Sequence, residues 1–238
     1  MNSSFARVLS VVLAAAFLAA SSAPSARAVE RFVNGDLEAG ATGFTSDYSY
    51  NGLDNTAPGS FAVTSSPNNV HGSWASYGDH TTGSGLMLTA NGSTVTGLAI
   101  WRQTVAVLPG ADYAFSAWGA SSFSSNPASL SFRANDVEFL TLQLPAAVGV
   151  WTHAMATLNA GASSSIEFEV VDLELNGFGN DLTLDDLSLI GPVPEPATAA
   201  LAATCFAALL TAARREKNSL RVEFPWHGSA SAVNQHRS

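Results

Sequence analysis

Cysteine and basic side chains are the scarce components of this 238-residue chain. With Cys205 as the one cysteine, an intramolecular disulfide and a multi-cysteine metal site are both excluded, so an exported form must fold without covalent staples. Ten Lys and Arg stand against nineteen Asp and Glu, a formal charge of -9. Between Val29 and Gly191 only Arg31, Arg102 and Arg133 are basic, against sixteen acidic residues, which makes that stretch -13. Three scattered arginines cannot build a phosphate-binding face, so nucleic acid is excluded as a partner. Charged residues are 12% of the chain and hydrophobic ones 47%, which excludes disorder and coiled coil for the whole and requires one core plus apolar segments outside it.

Two apolar runs supply those segments. Arg7 precedes Val8 to Ala20, and small residues lead to Ala26-Arg27-Ala28, the three parts of a secretory signal peptide over 1–28, cut by signal peptidase after Ala28. The run is too short to cross a hydrocarbon core of about 30 Å. The second run, Ala197 to Ala213, reaches the lower edge of spanning length and is followed by Arg214-Arg215-Glu216-Lys217. A transmembrane helix over 197–213 with a cytoplasmic basic flank is expected. Residues 218–238 show no periodicity and read as a disordered tail.

Between these segments, 29–191 reads as strand after short strand. Ile100, Arg102 and Thr104 alternate with Trp101, Gln103 and Val105 up to Pro109-Gly110. Tyr113, Phe115 and Ala117 form one face of the next strand, and Ala114, Ser116 and Trp118 form the other. Asn135-Asp136 marks a hairpin turn between Leu130 to Ala134 and Val137 to Leu144. Further strands are expected at Phe61 to Thr64, Leu86 to Thr89, Val150 to Leu158, Ser165 to Leu173 and Asp181 to Ile190. Eight or nine strands so spaced predict an all-β, two-sheet antiparallel sandwich.

The order Val193-Pro194-Glu195-Pro196, apolar helix, Arg214-Arg215 resembles the PEP-CTERM sorting signal of exported bacterial proteins over 192–217. That resemblance implies a Gram-negative host, an exosortase-type membrane protease acting near Pro194, Glu195 and Pro196, and a precursor anchored in the inner membrane before transfer to the cell surface or extracellular matrix. Such signals normally end soon after the basic cluster, whereas this chain continues to Ser238. The region 29–191 resembles the galactose-binding-like jelly roll of carbohydrate-binding modules. The resemblance is carried by Asn34-Gly35-Asp36-Leu37-Glu38, by Trp101-Arg102-Gln103-Thr104-Val105 and Leu108-Pro109-Gly110, and by Gly179-Asn180-Asp181-Leu182-Thr183-Leu184-Asp185-Asp186.

Asp36 and Glu38 open the domain and Asp185 and Asp186 close it, and a sandwich can pair its first and last strands. Their oxygens would suit Ca²⁺, and related modules often hold a structural calcium at this place, with Glu38 and Asp185 the best matched positions. The competing reading gives Asp36 to a turn and one terminal carboxylate to backbone amides. Sugar binding needs flat rings beside hydrogen-bonding groups. Trp74, Tyr77, Trp118, Phe123 and Trp151 are the candidate rings, with Asp79 and His80 beside Trp74 and Tyr77 in one polar loop and Trp118 on the outward strand face. No catalytic residue is expected: His71, His80 and His153 occur without a Gly-x-Ser-x-Gly elbow or His-Glu-x-x-His spacing. Two functions stay open, a non-catalytic surface protein that binds extracellular polysaccharide and a purely structural or adhesive matrix domain without a small ligand.

Overall fold

The chain divides into two units, Met1–Pro194 and Glu195–Ser238. The computed structural model describes residues 28–192 of the first and Leu210 of the second. The expected signal peptide, the Pro-Glu-Pro motif, the apolar run 197–213 and the tail lie outside these residues. Among the described residues no helix is long and apolar enough to cross a membrane.

Eleven strands follow one another as β1 (Ala28–Glu30), β2 (Ser49–Tyr50), β3 (Ser60–Thr64), β4 (Met87–Asn91), β5 (Ala99–Ala106), β6 (Asp112–Ser121), β7 (Ser129–Ala134), β8 (Val137–Gln143), β9 (Thr152–Asn159), β10 (Ser165–Asp172) and β11 (Leu182–Pro192). One sheet runs β2-β3-β4-β11-β6-β9 with β1 also on β11, and the other runs β5-β10-β7-β8. Every pairing is antiparallel except β2 with β3. The strands expected from alternation all occur, within a few residues at their ends. Asn135 and Asp136 both take positive φ, 49° and 64°, the left-handed pair that a two-residue hairpin turn requires.

The core lies between the sheets. Alternation on β6 buries Tyr113, Phe115 and Ala117 and turns Ala114, Ser116 and Trp118 outward, as the pattern of the strand predicts. Phe32 meets Trp101 at 4.9 Å and Phe168 at 5.3 Å edge to face, and Phe115 meets Phe132 at 5.1 Å.

The domain opens and closes on one ladder. β4 and β1 lie along the same side of β11, pairing with Leu182 to Leu184 and with Ile190 to Pro192. Between them β11 breaks register from Asp185 to Ser188, and Asp186 takes φ 48°. The opening turn fills that gap: Leu187 N donates to Gly35 O at 2.9 Å. Approach is so close that a β-carbon on Gly35 would sit 1.9 Å from the Leu187 carbonyl oxygen, so only glycine fits. Asn34 holds the turn, accepting from Ala39 N and donating to the carbonyls of Gly40 and Thr42.

Candidate functional site

The loop between β3 and β4 carries the four loop residues expected to touch a ligand, and the structure separates them. Its first part turns at Pro67–Asn69 and brings Trp74 inward, with Trp74 N bonded to His71 O at 3.0 Å. Asn68 Nδ2 donates to Trp74 O, and the His71 ring stacks on the indole at 4.5 Å. Trp74 is only 3% exposed and packs on Ala62, Val70 and Phe123.

From the other side comes the loop between β10 and β11. Asn126 Nδ2 donates to Phe178 O at 2.6 Å, and Asn180 N donates to Asn126 O. Gly179, at φ 91°, passes so close that a β-carbon would lie 2.0 Å from Ser125 O. This clamp leaves Phe178 65% exposed, its ring edge to face with Phe123 at 5.5 Å. Asp181 follows at the start of β11, with its carbonyl accepting from Ser122 N.

These segments enclose a cleft of about 340 Å³. Trp74, Phe123 and Phe178 give it aromatic walls, and His71, Asn91 and Asp181 give it polar ones. That volume is at the small end of ligand pockets, about 300 to 1,000 Å³. Burial pushes the Asp181 carboxyl up to about 7, with the Trp74 indole acting in the opposite sense. No other acidic side chain lines the cleft, so it lacks the carboxylate pair that glycoside hydrolysis uses.

The remaining expected residues lie on the outer face of the seven-stranded sheet. Trp118 is sandwiched between His80 at 3.8 Å and His153 at 4.3 Å, both rings nearly parallel to it. The Tyr77 hydroxyl reaches Ser121 O, Ser122 Oγ and Thr183 Oγ1, and burial raises its pKa. Asp79 is buried and accepts from Thr82 N and Gly85 N. Burial pushes its pKa up, but these backbone bonds prevail and hold it below the ordinary value. His80 Nδ1 meets Asp186 Oδ2 at 2.6 Å, and His80 N donates to Asp185 Oδ2 at 2.8 Å. In this arrangement Tyr77, His80 and Trp118 pin the loop to the sheet, while Asp79 ties the loop to itself.

The four carboxylates expected to surround calcium are brought to one region and put to separate uses. Asp36 is exposed, and Glu38 Oε1 accepts from Leu86 N. Asp185 is fully buried and accepts from His80 N and Asp186 N, while Asp186 takes His80 and Thr81. Burial, with help from the charges of Asp186 and Asp79, lifts Asp185 to about 7. Among the described residues no three His, Cys, Asp or Glu side chains converge as metal ligands. Buried Asp185 and exposed Glu38 offer a hard cation carboxylate oxygens, and main-chain oxygens and water would have to complete the shell. Asp36 is likewise exposed, and Asp186 is already engaged by His80 and Thr81.

The four-stranded sheet carries an unexpected charged face. Arg102 meets Glu169 at 2.6 Å and both oxygens of Asp47 at 3.0 and 2.8 Å, while Ser131 Oγ bonds Glu138 at 2.6 Å. Phe178 and Asp181, the most telling cleft residues, also escaped sequence reasoning. Gly177-Phe178-Gly179, one aromatic ring between two glycines, was the available signal.

No protein-family model and no curated protein matches the chain. Among solved structures, the CBM22-1 xylan-binding domain of Paenibacillus barcinonensis Xyn10C is 14% identical, with 73% of this chain and 100% of that one covered at a TM-score of 0.48. A cyclase from Fischerella sp. TAU is 14% identical over 71% and 100%, at 0.49. The sugar-binding EclA C-terminal domain is 22% identical over 40% and 67%, at 0.36. The chain is thus similar to binding modules and to enzymes alike, and the ligands belong to those proteins.

Proposed function

We propose that this is an exported, non-catalytic surface or matrix protein whose sandwich binds carbohydrate in the cleft of Trp74, Phe123, Phe178 and Asp181. One observation carries the reading: Phe178 is 65% exposed although a clamp of backbone contacts holds its loop in place. A fixed, exposed ring beside a carboxylate and an amide is the combination that stacks on a pyranose face while bonding its hydroxyls. Affinity for one site is modest, because a small open cleft buries part of one sugar and a flexible glycan must be ordered. Surface display in many copies would compensate through avidity.

The export route belongs to the same proposal. Signal peptidase removes 1–28, and an exosortase-type protease acts at Pro194-Glu195-Pro196, before the apolar run and Arg214-Arg215. The ladder of β1 on β11 supports this, since the ends of the sandwich lie side by side and a cut after Ala28 removes only its outermost pair, Ala28 with Pro192. We also propose structural Ca²⁺ beside Asp185 with Glu38, which would neutralise a carboxylate otherwise repelled by Asp79 and Asp186. A glycan array probed with wild-type and Phe178→Ala protein tests the binding function. Loss of signal in the variant is expected, and an array blank for the wild type would refute it.

A further inference from the structure

Five carboxylates are buried among the described residues, and four have partners inside the protein. Asp79 accepts from Thr82 N and Gly85 N, Asp172 from Ser129 N and Glu174 N, and Asp185 from His80 N and Asp186 N. Glu169 is paired with Arg102. Asp181 is the exception: it is 7% exposed, lines the cleft, and no described residue hydrogen-bonds its carboxylate or forms an ion pair with it. The Trp74 indole lies toward it, yet Nε1 is buried and has no acceptor in good hydrogen-bond geometry. The Asp181 carboxylate faces the cleft with no partner in good geometry, and the buried Trp74 Nε1 beside it has none either. A carboxylate this little exposed meets little water, so a ligand that brings a donor and a counter-charge gains there.

We infer that the cleft takes a sugar carrying a free amino group, a hexosamine unit whose ammonium pairs with Asp181 while its ring lies against Phe178. This rests on the carbohydrate reading and narrows it to a ligand class. An ammonium supplies both the hydrogen bonds and the counter-charge that Asp181 lacks, whereas a neutral hydroxyl supplies only the bond. Trp74, Phe123 and Phe178 add aromatic surface that favours a cation. A uronic acid is disfavoured, because it would bring a second carboxylate to Asp181 in a domain already at -13. Burial raises Asp181, so protons compete with the ammonium at acidic pH. His71, stacked on Trp74, is the other titratable group lining the cleft.

Calorimetry on the purified full chain compares a glucosamine tetramer, its N-acetylated counterpart, cellotetraose and putrescine. The glucosamine tetramer should bind about tenfold or more tightly than cellotetraose, as expected for a charge-assisted bond. Asp181→Asn should abolish that preference while cellotetraose binding persists, and Phe178→Ala should weaken both sugars. Affinity for the amine should fall below about pH 7 as Asp181 takes up its proton. Equal affinity for amine and neutral tetramers, or a preference that survives Asp181→Asn, overturns the inference and leaves the carbohydrate reading standing. Putrescine bound as tightly as the glucosamine tetramer overturns it in favour of a simple amine site. Failure of every oligosaccharide to bind overturns both.

Discussion

The buried carboxylate of Asp185 accepts the backbone N–H of His80 at 2.8 Å, joining the last strand to a loop 105 residues earlier in the chain. With the Asp186–His80 contact and the Tyr77–Thr183 bond, it pins that loop across the outer sheet face. Asp185→Ala should destabilise the domain by about 1.5–3 kcal/mol, the range for losing a hydrogen bond to a charged group. Asp185→Asn, which keeps an acceptor and removes the buried charge, should lose less. Chemical denaturation of both variants in calcium-free buffer is the check, and equal losses would contradict this role.

Calcium should raise the melting temperature and EDTA should reverse the effect. At a free-ion level about 100 times its dissociation constant, the gain is roughly 2.7 kcal/mol. Glu38→Ala and Asp185→Ala should each lose the response, whereas Asp36→Ala should keep it. A melting curve indifferent to EDTA would remove calcium from the account.

In calcium-free buffer stability should fall as pH rises from about 4 toward 8. Burial lifts Asp172, Asp181 and Asp185 each to about 7 in the folded protein, from an ordinary value of 3.8. Across that window the folded state holds more protons than the unfolded one, so raising pH favours unfolding. The melting temperature should be several degrees higher at about pH 5.5 than at about pH 8. Below about pH 4 the order reverses, because Asp47 is held low by Arg102, and Asp79 is held low by backbone bonds that outweigh its burial. A melting temperature that rises steadily toward pH 8 would contradict this.

What the sequence disclosed follows from what alternation can encode. A period of two placed Trp118 opposite Phe115 on β6, and Asn135-Asp136 announced its turn, because strand faces and left-handed turns are local properties. The opening turn and closing strand were also expected to meet, and Gly35 with Leu187 shows how. Loop side chains have no such code. Trp74 and Tyr77 share one polar loop three residues apart, yet Trp74 packs beside Phe123 and Tyr77 bonds Thr183. The partners, Phe123 for one and Thr183 for the other, are distant in sequence, so neither the buried indole nor the exposed Phe178 could be read locally. Arg102 was legible as an outward strand residue, but its partners Asp47 and Glu169 come from separate parts of the chain.

Removing Arg102 should be among the more damaging single changes outside the core. Glu169 is 6% exposed and would be left buried without a counter-charge. Arg102→Ala should destabilise by about 2–4 kcal/mol, and Arg102→Lys should recover only part, because a single ammonium cannot hold both oxygens of Asp47 as the guanidinium fork does. Thermal and urea unfolding measure it; a loss under about 0.5 kcal/mol, typical of an exposed pair, would place the network among surface salt bridges.

The most direct test of the central claim is calorimetric titration of oligosaccharide into wild type, Phe178→Ala and Trp118→Ala. Phe178 is exposed and holds little of the core, so its variant should keep the wild-type melting temperature and lose binding by about tenfold or more. Trp118, stacked between His80 and His153, should when changed lower the melting temperature while the cleft keeps its ligand. Binding that survives Phe178→Ala and disappears only in Trp118→Ala would move the site to the sheet face and contradict the account.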